Sequence, residues 1–414
     1  MDDPEKADVV LFFFGLDEIA ESEGADRMSI DVPEYQIKEL EELTVYNKHI
    51  IGVMSAGSSV KMPWLGCLQA LLHGYLTGQA GASALLDIIT GKEIPTGKLS
   101  ESYPFAYADC SIVSYADTEK RNLQYREGPF IGYRYYDTVD VAVQFPFGYG
   151  LSYTTFEYSQ LYVGDNGVKF TIKNTGSRDG AEIAQLYVGK AETGLIRPKK
   201  ELKGFKKVWI KAGESVDVEI PFDDKTFRYF STVSNNWEIE GGEYQIYIGS
   251  NVFDIELTGK ISKEGTITEL PYDIEKLPSY KTGNVRNVHY EEFEKLYAAP
   301  LPEEKVGPLD INDALCQMKD AKSGLCRLVY KILKNNLDKS YEKGVPDLNT
   351  LFIYNMPFRA MSKMTGGAVS REMAESIVTI ANGHFFRGLG GVISGYFRNA
   401  RANKKYEKRL NHEE

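Results

Sequence analysis

Leu16 to Arg27 reads Leu-Asp-Glu-Ile-Ala-Glu-Ser-Glu-Gly-Ala-Asp-Arg, with five carboxylates among the ten residues from Asp17 to Asp26. A carboxylate among other carboxylates holds its proton longer, because like charges disfavour ionisation. A carboxyl that keeps its proton near neutrality can act first as a general acid and then as a base. The same composition also fits an ordinary solvated acidic loop, and composition alone favours that simpler reading. Position adds weight to the chemical one. The loop follows Ala7 to Phe14, a continuous apolar run expected of a strand buried on both faces. Ligands of α/β sheets collect in loops at the carboxyl ends of parallel strands.

Other candidate chemistry is thinner. Gly78-Gln79-Ala80-Gly81 precedes a helical pattern and could cradle a phosphate, although ordinary helix capping explains it as well. Tyr133, Tyr135 and Tyr136 could stack on a sugar or simply pack. Cys67, Cys110, Cys316 and Cys326 include no CxxC, the closest pair being separated by nine residues, so neither a zinc site nor a disulfide framework is expected. Lys+Arg 48 against Asp+Glu 59 gives a net charge of −11, which argues against a nucleic-acid partner. The acidic start Met1 to Glu5 and the six-residue run Val9 to Phe14 make no signal peptide, so a cytoplasmic location is expected.

The elements that position these residues form three regions and a connector. Residues 1–154 alternate strand and helix patterns: Ala7 to Phe14, a helix opened by Pro33 with Ile37, Leu40 and Leu43 on one face, Ile50 to Ser55, Ala70 to His73, and a helix from Ala82 to Ile89 closed by Gly91. This predicts an α/β layer with a mostly parallel sheet and an uncovered edge. Residues 155–260 switch to period two, as in Val168, Phe170 and Ile172 or Tyr244, Ile246 and Ile248, predicting about seven strands of a fibronectin-III-like β-sandwich. Residues 261–307 read as a polar, proline-flanked linker. Residues 308–414 read as α-helical, with Leu315, Met318, Leu325, Val329 and Ile332 at helix spacing and Ser370 as an N-cap. The basic end, Arg398 to Arg409, is read as a solvated helix terminus, with membrane contact the less favoured alternative.

Glu21-Ser22-Glu23-Gly24-Ala25-Asp26-Arg27 resembles the acid/base loop of glycoside hydrolase family 3, the β-glucosidases and β-xylosidases. Further matches fall in family order: Ser55-Ala56-Gly57, Gly78 to Gly81, Pro95 to Ser100, Tyr125 to Gly128, Gly132 to Asp137 and Phe145 to Thr154. The resemblance covers about residues 5–260. It implies that Glu23 protonates the glycosidic oxygen and then activates water, with Glu21 as runner-up. Asp26 and Arg27 would support the loop as an ion pair. It implies no metal or organic cofactor.

The family's nucleophile is an Asp, usually followed by Trp, on an N-terminal barrel. Trp64, Trp209 and Trp237 follow Pro63, Val208 and Asn236, so no Asp-Trp pair exists. Lys48-His49 is similar to the barrel's sugar-gripping pair but sits between a helix and a strand, which reads as coincidence. The resemblance therefore implies the C-terminal part of such an enzyme: a gene fragment, a truncated chain or one half of a split protein. Its expected partners are a β-linked glucoside or related oligosaccharide and a family barrel domain, in cis upstream or in trans. The alternative is a non-catalytic docking or structural module.

Overall fold

The computed structural model describes residues 4–18, 20–21, 27, 29–115, 122–302, 307–342 and 347–410. The chain divides into two compact units, Met1–Leu16 with Ser29–Glu303, and Asp17–Met28 with Glu304–Glu414.

The first unit opens with β1 (Val10–Gly15), α1 (Glu34–Tyr46), β2 (Ile50–Ser55), β3 (Ala70–His73) and α2 (Gly81–Ile89). The three strands form a parallel sheet in the order β1-β2-β3, pairing Phe12 with Gly52 and Phe14 with Met54. Phe12 and Phe14 alternate onto one face, where Leu40 and Leu43 of α1 share their core and Trp64 meets Phe14 edge-on at 4.9 Å. The other face is open along β1. Leu11 and Phe13 point away from that core, and Phe13 is 64% exposed. Burial of β1 on both faces, expected from the apolar run, therefore does not hold: Leu11 and Phe13 are exposed, although Val53 beside Phe13 on β2 is buried. Pro33 is also displaced by one position from expectation. It is the N-cap of α1, with φ −50° and ψ 128°, and the helix starts at Glu34.

A small antiparallel pair, β4 (Tyr103–Pro104) and β5 (Val143–Phe145), brackets α3 (Tyr133–Thr138). The period-two region then forms β6 (Phe156–Gly164), β7 (Gly167–Asn174), β8 (Gly180–Gly189), β9 (Glu201–Ile210), β10 (Ser215–Pro221), β11 (Arg228–Ser231), β12 (Asn236–Ile239), β13 (Gly242–Gly249) and β14 (Ile255–Lys263). Seven of these strands make two antiparallel sheets, ordered β10-β7-β6 and β14-β13-β8-β9, and β11-β12 is a separate hairpin. Val168, Phe170 and Ile172 face Tyr244, Ile246 and Ile248 in one buried cluster, as alternation requires.

The stretch read as a linker is not an open connector. It carries α4 (Pro278–Thr282) and α5 (Tyr290–Tyr297), and it buries Ile274, Leu277, Tyr280, Val285 and Val288 against Phe130, Tyr135 and Tyr136. Its prolines and charges masked these apolar anchors, which are spaced irregularly.

The helical region holds α6 (Gly324–Glu342), α7 (Leu348–Asn355), α8 (Met361–Met364), α9 (Arg371–Ala381) and α10 (Phe385–Leu410). Ser370 caps α9, its Oγ accepting from Met373 N–H at 3.3 Å. Leu315 and Met318 enter the core through a 3₁₀ turn. Leu325, Val329 and Ile332, expected beside them, are exposed. Helix α6 is rotated so that Cys326, Tyr330 and Leu333 face the core instead. Both stripes have helical spacing, so periodicity alone could not choose between them. Helix α10 is seated on α9 by its glycines: a Cβ on Gly388, Gly391 or Gly395 would lie 2.4 Å from Ile380 Cγ1, 2.4 Å from Ser376 Oγ or 2.6 Å from Met373 Cγ. Its larger apolar side chains, Phe386, Ile393, Tyr396 and Phe397, are left in solvent.

Candidate active site

The acidic loop leaves the sheet at its carboxyl edge, as α/β topology favours. Gly15 makes this exit. A Cβ there would lie 1.8 Å from Ser55 O, so only glycine lets β1 run this close to β2. Gly15 N–H donates to Gln36 Oε1 of α1 at 2.9 Å, and Leu16 N–H donates to Ser55 O at 2.9 Å. Strand β1 is therefore fixed to β2 and α1 immediately before the loop begins. On the returning side, Lys61 N–H donates to Ile30 O at 2.8 Å, and Lys61 Nζ lies 2.6 Å from Asp31 Oδ1. The chain is thus anchored up to Leu16 and again from Ile30.

Asp17 starts the loop with a local turn. Its Oδ1 accepts from Ala20 N–H at 2.9 Å, and its carbonyl accepts from Glu21 N–H at 3.1 Å. Asp17 is thus committed to backbone capping. Glu21 is exposed and Arg27 is half-buried. Glu23 and Asp26 lie outside the described residues, and with them the expected Asp26–Arg27 pair.

The neighbouring strand ends at the same edge contribute polar groups that the sequence reading passed over. Ser55 Oγ donates to Tyr75 O at 2.8 Å. Tyr103 Oη lies 2.6 Å from His73 Nε2, and His73 Nδ1 lies 3.5 Å from Met54 O. Burial holds the His73 imidazole below its usual pKa, so it stays neutral. The only signal in the sequence was a histidine closing the apolar run Ala70 to His73. His49, by contrast, sits where β2 begins, at the opposite edge. Its Nδ1 is 3.2 Å from Asp8 O, so it ties strand entrances together and does not serve the loop.

The remaining motifs are structural. Gly81 packs on the Thr77 side chain, and Ala84 N–H donates to Ala80 O at 3.1 Å, so Gly78 to Gly81 behaves as a helix start. Tyr133, Tyr135 and Tyr136 are buried, Tyr133 stacking on Phe147 at 4.5 Å, which removes them as sugar platforms. Arg126 lies 5.7 Å from the rings of Tyr290 and Phe293 and donates to Val288 O at 3.0 Å. Tyr125 to Gly128 therefore docks the 261–307 stretch. Among the described residues no group of three or more His, Cys, Asp and Glu side chains could hold a metal ion.

Residues 1–153 match the family model for the glycosyl hydrolase family 3 C-terminal domain, and residues 182–252 match that for a fibronectin type III-like domain. An exo-α-(1→6)-L-arabinopyranosidase of Bifidobacterium breve is 44% identical over 265 residues, 63% of this chain and 35% of that protein. Thermostable β-glucosidase B of Acetivibrio thermocellus is 34% identical over 387 residues, 91% of this chain and 46% of that protein. The latter similarity extends through most of the helical region. Among solved structures, a family 3 β-glucosidase of Bifidobacterium adolescentis superposes with a TM-score of 0.62 at 42% identity, covering 65% of this chain and 41% of that one. The chain thus spans less than half the length of these relatives. With both domain models matched in order along one acidic-loop α/β layer and one sandwich, the chain belongs to glycoside hydrolase family 3, of which it carries the C-terminal α/β and fibronectin type III-like domains.

Proposed function

We propose that this chain is the acid/base-bearing C-terminal portion of a retaining, exo-acting β-glycosidase. The observation that carries this reading is the loop from Asp17 to Arg27, launched from the carboxyl edge of a parallel sheet with both stems anchored. Glu23 is the proton donor and then the base, and Glu21 is the runner-up. Retaining hydrolysis needs a second carboxyl roughly 5–5.5 Å away as nucleophile. That group comes from a family barrel domain, in cis upstream or in trans. The substrate class is a β-linked glucoside or a related exo-substrate; the relatives named above include a β-glucosidase and an α-(1→6)-L-arabinopyranosidase.

The test is to assay aryl β-glucoside and aryl α-L-arabinopyranoside cleavage by the 414-residue chain alone and after co-expression with a family barrel domain. Activity only in the combined preparation supports the proposal. Turnover by the chain alone, lost on mutation within it, refutes the division of labour. A stable complex without activity on any aryl glycoside favours a non-catalytic docking role.

A further inference from the structure

At the seam between the α/β layer and the sandwich, strand β9 leaves two aromatic rings exposed beside a small cleft. Strand β9 is the edge strand of its sheet, paired with β8 alone. Across the regular register from Phe205 to Ile210, alternate residues point to opposite faces. Val208 and Ile210 turn into the sandwich core. Phe205, Lys207 and Trp209 turn outward, with Phe205 65% and Trp209 57% exposed. An indole left in water on an edge strand forfeits most of the burial that stabilises aromatic residues.

Trp209 forms one wall of a cleft of about 290 Å³, lined also by Lys92, Glu93, Ile94, Arg178 and Asp179. That is close to the lower size limit for small-molecule sites, roughly 300 Å³. Three of the charged groups already have partners. Arg178 Nη2 donates to Gly91 O, and its guanidinium lies 5.7 Å from the Tyr153 ring. Asp179 Oδ1 accepts from Ala212 N–H at 2.9 Å. Lys92 pairs with Asp87 at 3.0 Å. The rim offers two cations and two carboxylates, so an anionic or cationic ligand gains from one pair what it loses to the other. A neutral ligand that both donates and accepts hydrogen bonds is favoured. One with a flat apolar face for the indole and hydroxyls around its edge is a pyranose ring.

The geometry points to a neutral oligosaccharide whose end ring stacks on Trp209 and whose next units run along β9 towards Phe205. Phe205 and Trp209 are four residues apart, roughly 13 Å at strand rise. Lys207 between them is drawn to Thr96 Oγ1 at 2.7 Å. One sugar ring fills the cleft, and an extended chain of several rings reaches both aromatics. This site needs no nucleophile and no barrel, so it can be tested whatever the catalytic outcome.

The experiment titrates the 414-residue chain with glucose and with a linear β-(1→4)-linked glucose tetramer, read by tryptophan fluorescence and saturation-transfer NMR. Saturable tetramer binding is expected, insensitive to salt because the ligand is uncharged. Trp209→Ala should weaken it at least tenfold, about 1.4 kcal/mol. Phe205→Ala should weaken tetramer binding several-fold and leave glucose binding unchanged. Trp237→Ala should change neither, since Trp237 packs on Phe230 and Arg228 away from the cleft. Unchanged melting temperatures establish that each variant folds. Absence of saturable binding, or tetramer binding equal in Trp209→Ala and the parent, overturns the assignment.

Discussion

Lys98 Nζ lies 3.1 Å from Glu182 Oε1, with both side chains largely withdrawn from solvent. The same ammonium donates to Gly150 O at 3.0 Å. Around it, Leu99 N–H donates to Tyr149 O and Gly148 N–H to Leu99 O, each at 2.8 Å. The turn from Pro95 to Ser100 and the exit from Phe145 to Thr154 are thereby stapled to each other and to β8.

Removing one partner of a buried ion pair strands the other charge, at a cost of about 3–5 kcal/mol. Lys98→Met should therefore lower the melting temperature sharply. Adding Glu182→Leu to it should restore much of the loss, because no unpaired charge remains. Calorimetry on the single and double variants checks this; a double variant no better than Lys98→Met would mean the pair is not what holds the staple.

His73 should make stability depend on pH. Its folded pKa lies below the ordinary value of 6.5, chiefly through burial. The unfolded chain thus binds more protons than the folded one as pH falls below about 6.5. The stability His73 contributes is complete above that value and is lost as pH falls through the folded pKa. Melting temperatures of the parent and His73→Gln between pH 8 and 5 should diverge, with the flatter profile in the variant. Parallel profiles would show that His73 is not the titrating group.

The glycines of α10 should separate into two classes. Gly391→Leu places a side chain where Ser376 Oγ already stands 2.4 Å from a Cβ, so α10 should detach from α9. Gly390 has open space beyond its Cβ position, and Gly390→Ala should stabilise by roughly 0.5–1 kcal/mol. Helical circular dichroism and melting would show opposite signs. Equal tolerance of both substitutions would contradict the glycine seat.

The sandwich should fold alone. Its core from Tyr158 to Ile248 is contiguous. Residues 153–266 expressed separately should melt cooperatively. Residues 1–150 should bind the dye ANS, because Leu11 and Phe13 leave the second face of the sheet open along β1. A cooperative, ANS-silent 1–150 would show that this face is not a liability.

Much of this is legible in the sequence. Strict alternation around Val168 and Tyr244 could only be satisfied by strands with one buried face, so the sandwich was plain. The parallel strands are visible as apolar runs, but a run does not say which faces are covered, so the exposure of Phe13 is not. Helix α6 carries two apolar stripes, and choosing the buried one requires knowing where α9 lies. The 261–307 stretch looked like a linker because Tyr280, Val285 and Val288 follow no period, and their partners near Arg126 are distant in sequence. The loop itself was visible from its carboxylates. The anchoring of its stems by Gly15, Gln36 and Lys61 was not, since those residues are brought together only by the fold.

The most direct measurement concerns Glu23. In the enzyme assembled with a barrel domain, aryl glycosides of graded leaving-group pKa would be assayed with Glu23→Ala and with Glu21→Ala. General acid–base assistance is worth roughly 10²–10⁴-fold. Glu23→Ala should lose most of that for poor leaving groups, lose far less for activated ones, and be partly rescued on activated substrates by azide. Glu21→Ala should stay within a few-fold of the parent. The leaving-group dependence appearing in Glu21→Ala and not in Glu23→Ala would move the acid/base by two residues, and its absence from both would contradict the assignment of this loop as the proton donor.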